Sequence, residues 1–143
     1  MNLRLFCCLP LALGVVGCGK PLPEAPVAPP EAVLPASYQQ LPPDAAEQLI
    51  ASTPALGILD VRDEAEMRNG NGWIANAQSC PYFSDYRARL QKLDRSQPWL
   101  VYCALGGRAE YTAATMAELG FQRVSLLKGG FEAWRAAGKP VAR

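Results

Sequence analysis

The apolar residues of this chain gather in short unbroken runs, separated by stretches with a spacing of three and four. Residues 55–61 (Ala-Leu-Gly-Ile-Leu-Asp-Val), 99–102 (Trp-Leu-Val-Tyr) and 124–127 (Val-Ser-Leu-Leu) show no hydrophobic-polar alternation. This is the pattern of strands covered on both faces, as in a parallel sheet. A weaker run, Trp73 to Ala77 with Ser79-Cys80-Pro81 after it, predicts a short strand ended by proline. Between the runs, Ala45, Ala46, Leu49 and Ile50 predict a first helix, with Asp44 three residues before Glu47 as a weak capping signal. Phe83, Tyr86, Leu90 and Leu93 predict an amphipathic helix over residues 83–93. Ala109, Ala113, Met116 and Ala117 predict another over 107–119, ended by Gly120, and residues 131–137 a last one ended by Gly138. Residues 63–68 suit one or two helical turns, and Asn69-Gly-Asn-Gly72 and Lys128-Gly-Gly130 are turns by composition. Strands alternating with helices give an α/β domain with a mostly parallel sheet. Ligands of such sheets bind outside the carboxyl ends of the strands, where Asp60, Arg62 and Cys103 all fall.

The pattern changes before residue 36. Met1 to Arg4 is a short positive segment, and residues 5–16 are an apolar run of signal-peptide length. Val15-Val16-Gly17-Cys18 resembles a bacterial lipobox, so residues 1–17 are expected to be cleaved and Cys18 to carry lipid. The alternative is an ordinary secretory signal. Gly19, in place of aspartate, points in enteric-type sorting to the outer membrane, facing the periplasm. Prolines then crowd residues 18–36, which have too few large apolar residues for a core and read as a stiff tether, or else as a proline-rich ligand. The folded domain is assigned to residues 37–143.

Composition narrows the chemistry. Fourteen Lys and Arg face thirteen Asp and Glu, a net charge of +1, so no basic surplus points to nucleic acid. The absence of histidine removes the commonest metal ligand and general base together. No metal or organic cofactor is implied. Of five cysteines, Cys7 and Cys8 lie in the signal and Cys18 at the lipidation position, leaving Cys80 and Cys103. Cys80 sits at an apolar strand position and is expected to pack as core rather than bridge Cys103.

Cys103 ends an apolar strand and opens the loop Ala104-Leu105-Gly106-Gly107-Arg108. A strand-loop-helix junction aims free amides and the positive end of a helix at the sulfur, favouring the thiolate. The two glycines allow the amides to curl into an anion-binding nest, and Arg108 adds a full charge if it turns inward. On this stretch alone a reactive thiol and a buried core cysteine are equal readings.

The neighbouring motifs decide between them. Leu59-Asp60-Val61-Arg62, Gly72-Trp73-Ile74-Ala75-Asn76-Ala77, Val101-Tyr102-Cys103 through Arg108-Ala109, Gly120-Phe121, Leu127 through Trp134 and Ala137-Gly138-Lys139-Pro140-Val141 stand in the order and spacing of a single-domain rhodanese, which the chain resembles. The resemblance implies a rhodanese-like three-layer domain with a five-stranded, mostly parallel sheet flanked by helices. It implies that Cys103 takes a sulfane sulfur from a small donor, becomes a persulfide and passes the sulfur to a thiol or cyanide-like acceptor. Ala104 to Arg108 match the family's substrate cradle, and Asp60 and Arg62 its strand-end motif, which supports the site; their alternative is a solvent-facing ion pair. The chain departs from the family's Gly-His-Ile-Pro-Gly-Ala segment by losing histidine and proline. It also carries uncharged Ala104 and Leu105 where rhodaneses efficient with thiosulfate often place charge, which brings persulfide or polysulfide donors forward. Phosphatases and arsenate reductases of the same fold have a loop one residue longer; the four residues between Cys103 and Arg108 fit sulfur better. A non-catalytic rhodanese-like binding module on a membrane tether is the alternative function.

Overall fold

Ten elements follow one another in the computed structural model, which describes residues 38–143. They are β1 (Gln39–Leu41), α1 (Pro43–Ser52), β2 (Gly57–Asp60), α2 (Glu64–Arg68), β3 (Ala77–Ser79), α3 (Tyr86–Leu90), β4 (Trp99–Tyr102), α4 (Gly107–Glu118), β5 (Val124–Leu127) and α5 (Gly130–Ala136). The signal, lipidation and tether assignments lie outside the described residues. Among those described, no helix is long and apolar enough to cross a membrane.

The five strands form one parallel sheet in the order β1-β5-β4-β2-β3. Both faces are covered, which is why the central strands lack alternation. Successive side chains point to opposite sides: Leu59, Val61, Trp99, Val101 and Cys103 pack with Ala109, Ala113 and Met116 of α4, while Ile58, Leu100 and Tyr102 pack with Ala46 of α1 and Phe131 and Trp134 of α5. Cys103 thus continues the period of the α4 face just beyond the end of β4. Gly57 sits where only glycine fits, since a Cβ there would meet the Trp99 ring at 2.4 Å.

Several elements differ from the sequence-based expectations. The apolar pattern located four of the five expected strands and missed β1: it is three residues long, two of them polar, and exists through its pairing with β5. The helix expected over 83–93 is confined to Tyr86–Leu90. Before it, the Ser84 amide and hydroxyl both donate to the Pro81 carbonyl, a local turn that competes with helix; after it, Lys92 and Leu93 continue in i to i+3 turns. Leu90 is buried as expected, but Phe83 is 75% exposed. The strand expected from Trp73 is interrupted by a turn, with Asn76 at φ 63° and the Ala77 amide bonded to the Ile74 carbonyl. Trp73 instead bridges Ala142 in antiparallel sense. α1 starts on Pro43 with no side-chain cap, and the Asp44 and Glu47 carboxylates bind Lys139 at 2.6 and 2.7 Å. α4 buries Thr112 and Thr115 beside its apolar residues; their hydroxyls donate to the carbonyls of Arg108 and Tyr111 four residues back.

Candidate active site at the end of the fourth strand

Backbone geometry sets the position of the Cys103 sulfur. β4 stops at Tyr102, the chain turns through Ala104 and Leu105, and α4 begins after Gly106, whose φ of 120° and ψ of −40° only glycine adopts readily. That turn brings the Gly106 amide to 3.0 Å from Cys103 Sγ, a hydrogen bond onto the thiol sulfur. The expected two-glycine nest is corrected in one respect: Gly106 carries the unusual dihedral, whereas Gly107 is the first residue of the helix.

A second element, absent from the sequence argument, holds the loop from behind. The Phe131 amide donates to the Cys103 carbonyl at 2.8 Å and the Glu132 amide to the Ala104 carbonyl at 3.1 Å, so the first turn of α5 takes up both. Because each trans peptide sets its N–H opposite its C=O, the Ala104 and Leu105 amides then point away from α5. Neither donates to another group among the described residues. The approach is possible because Gly130, at φ 63°, has no Cβ; one placed there would lie 2.5 Å from both the Cys103 and Ala104 carbonyl oxygens. Leu105 is 75% exposed at the tip of the loop.

Beneath the loop lies a buried polar cluster. Asp60 and Arg62 are 0% and 2% exposed, which excludes the solvent-facing ion pair. Arg62 donates through Nε and Nη2 to Asp60, with Nη2 to Oδ2 at 2.6 Å, and Nη2 also donates to the Gly72 carbonyl at 2.9 Å. Tyr102 donates to Asp60 Oδ2 at 2.6 Å and accepts the Ile74 amide. Burial, reinforced by Asp60, raises the Tyr102 phenol and keeps its proton in place to donate. Burial opposes the Arg62 charge, but the Asp60 carboxylate outweighs it and holds the guanidinium above its ordinary value. The Arg62 guanidinium lies 3.9 Å from the centre of the Phe131 ring, whose own amide holds Cys103. The chain from Asp60 through Arg62 and Phe131 to the cysteine is therefore continuous.

Arg108 does not stand as a free charge. Its Nη1 and Nη2 donate to Glu66 Oε2 and Oε1 at 2.6 and 2.7 Å, and Nη1 lies 3.5 Å from Asp63 Oδ2. Glu66 is the main influence raising the guanidinium, and Asp63 adds to it. Arg108 in turn holds the Glu66 carboxyl below its ordinary value. Glu66 escaped the sequence reading, although its spacing from Asp63 was the available signal: the Asp63 amide donates to Glu66 Oε2 at 2.9 Å, the Glu66 half of a capping box at the start of α2.

Cys80 is buried, unbridged and apart from this chemistry; burial pushes its thiol up to about 11. Among the described residues no group of His, Cys, Asp and Glu is arranged to hold a metal ion. What the site offers is a thiol with an amide on its sulfur, two outward amides beside it, and a cation already shared with a carboxylate.

Residues 42–137 match the model of the rhodanese-like domain. The thiosulfate sulfurtransferase GlpE of Actinobacillus pleuropneumoniae is 31% identical over 80 residues, covering 54% of this chain and 74% of that protein. A rhodanese-related protein from Thermoplasma volcanium superposes with a TM-score of 0.64 at 30% identity, covering 73% of this chain and 98% of that one. The polysulfide-sulfur transferase of Wolinella succinogenes superposes with a TM-score of 0.61 at 27% identity, covering 75% and 80%. With two thirds of its length matched by the family model and a five-stranded parallel sheet that ends on the cysteine loop, the chain belongs to the rhodanese-like domain family.

Proposed function

We propose that this protein is a sulfurtransferase that carries sulfane sulfur on Cys103. The observation that carries the reading is the Gly106 amide on Cys103 Sγ, with the Ala104 and Leu105 amides unengaged beside it among the described residues. Relatives named as thiosulfate sulfurtransferase and polysulfide-sulfur transferase support it. In the first half-reaction the Cys103 thiolate attacks the outer sulfur of a thiosulfate, persulfide or polysulfide donor. A new S–S bond forms at Sγ as the donor's bond to that sulfur breaks, and the electron pair leaves with sulfite or the donor thiolate. Cys103 then holds a persulfide anion whose terminal sulfur faces the loop amides, which stabilise the charge without histidine. In the second, a thiolate or cyanide attacks that terminal sulfur, and the pair of the Cys103 S–S bond returns to Sγ. Asp60 and Arg62 act as positioning groups through Phe131, and Ala104 to Arg108 receive the substrate.

The proposal extends to location: residues 1–17 are removed, Cys18 is lipidated, and residues 18–36 hold the domain off a bacterial membrane, in the outer membrane facing the periplasm. The lipobox-like Val15-Val16-Gly17-Cys18 and the prolines after it support this. One measurement addresses both parts. The intact mass of mature protein from membranes, before and after exposure to thiosulfate or a persulfide, reads a lipid on Cys18 and one added sulfur on Cys103. Transfer to cyanide by wild type and Cys103→Ser completes the test. Equal transfer by the two proteins would falsify the catalytic assignment and leave a binding module.

A further inference from the structure

The cation of this loop is shared. Both terminal nitrogens of Arg108 face the two oxygens of Glu66, and Asp63 stands 3.5 Å from one of them. A bidentate pair of this kind occupies the guanidinium fork that would otherwise grip an anion. The loop itself adds no charge at Ala104 and Leu105, and the exposed Leu105 side chain presents an apolar rim. On the side facing β5, Glu110 and Lys128 line a cavity of about 70 Å³ beside Leu105 to Gly107, one charge of each sign. The ionised groups around the loop therefore carry no positive surplus, and the amides remain as its anion receptor. Amides suffice for one charge localised on sulfur, whereas a dianion brings a second charge to a loop whose arginine is already paired with Glu66.

We propose that Glu66 sets donor choice: by holding Arg108, it makes the Cys103 loop favour a singly charged persulfide over dianionic thiosulfate. The inference rests on the sulfurtransferase reading and names Glu66 as a positioning residue acting through Arg108. Coulomb energy is linear in ligand charge, so removing the Glu66 charge favours a dianion twice as much as a monoanion. If the monoanion gains about threefold, the dianion gains about ninefold, and their ratio moves by about threefold.

The test measures the second-order rate at which Cys103 gains one sulfur, by mass spectrometry under single-turnover conditions, with thiosulfate and with 2-hydroxyethyl persulfide as donors. In Glu66→Gln the thiosulfate-to-persulfide ratio should rise about threefold to tenfold over wild type. The rise should shrink at high salt, because the site is open to screening. Glu66→Asp, which keeps a carboxylate, should return the ratio toward the wild-type value, and Arg108→Gln in the Glu66→Gln background should abolish the rise. A fall or no change in the ratio for folded Glu66→Gln overturns the proposal. Glutamine serves the same helix position in a capping box, so folding should persist. Should that variant lose its thermal transition, Asp63→Asn removes the second carboxylate, keeps a good N-cap residue and must raise the ratio in the same direction, or the proposal fails. Wild type that gains no sulfur from either donor overturns the sulfurtransferase reading and this inference with it. Active wild type with an unmoved ratio in the variants overturns Glu66 alone.

Discussion

Gly130 and Cys103 meet backbone to backbone: a Cβ on Gly130 would lie 2.5 Å from the Cys103 carbonyl oxygen, and the next residue's amide bonds that same oxygen at 2.8 Å. Gly130→Ala must displace the loop carbonyls, and it also places a side chain at φ 63°, which costs about 1–2 kcal/mol. On the proposed sulfurtransferase function, the expected outcome is a lower melting temperature and a loss of about tenfold or more in sulfur transfer, since small misplacements of a nucleophile are costly. Steady-state transfer to cyanide and a thermal melt check both parts; full activity at an unchanged melting temperature would contradict the clamp.

The Asp60 carboxylate has two buried partners, Arg62 and the Tyr102 hydroxyl. Asp60→Ala leaves Arg62 buried without its counter-ion and should cost about 3–5 kcal/mol. Tyr102→Phe removes one donor to Asp60 and the acceptor of the Ile74 amide, and should cost about 1–3 kcal/mol. Denaturant unfolding of the two variants should reproduce this order.

Because Arg108 holds the folded-state Glu66 carboxyl below its ordinary value of 4.5, the pair contributes stability that is fully present above that value. It is lost as pH falls through the lower folded-state value. Glu66→Gln should therefore be less stable than wild type near neutral pH, with the gap closing in acid. Melting temperatures of both proteins across that range give the answer; a gap independent of pH would place the effect elsewhere.

Cys80 is 2% exposed, and burial pushes its thiol up to about 11. Native protein treated with iodoacetamide at neutral pH should remain unmodified at Cys80, while the unfolded protein is alkylated there. Peptide mass mapping distinguishes the two, and rapid native labelling of Cys80 would show that its cover opens.

The parallel α/β architecture was legible because strands covered on both faces leave unbroken apolar runs, as at residues 57–60 and 99–102. Elements held by local or edge contacts were not. β1 needs β5 beside it, the Trp73 segment needs Ala142, and the Ser84 turn ends the apparent periodicity of residues 83–93. Cys103 stood out as a candidate for a chemical reason: a thiol at a strand end, followed within a few residues by glycines and an arginine, has few equivalent readings once its flanking motifs are added.

The sequence by itself determined the fold class, the candidate nucleophile and the loop that follows it, because strand periodicity, glycine conformations and residue chemistry are properties of neighbours along the chain. Only the tertiary structure decided what that loop's arginine does and what lies behind the cysteine. Glu66 reaches Arg108 from 42 positions away, and α5 reaches the Cys103 carbonyl across the sheet's edge. Both contacts follow from parallel strands that deliver distant segments to one edge. Charge compensation and carbonyl capture depend on distance in space, which no local spacing encodes.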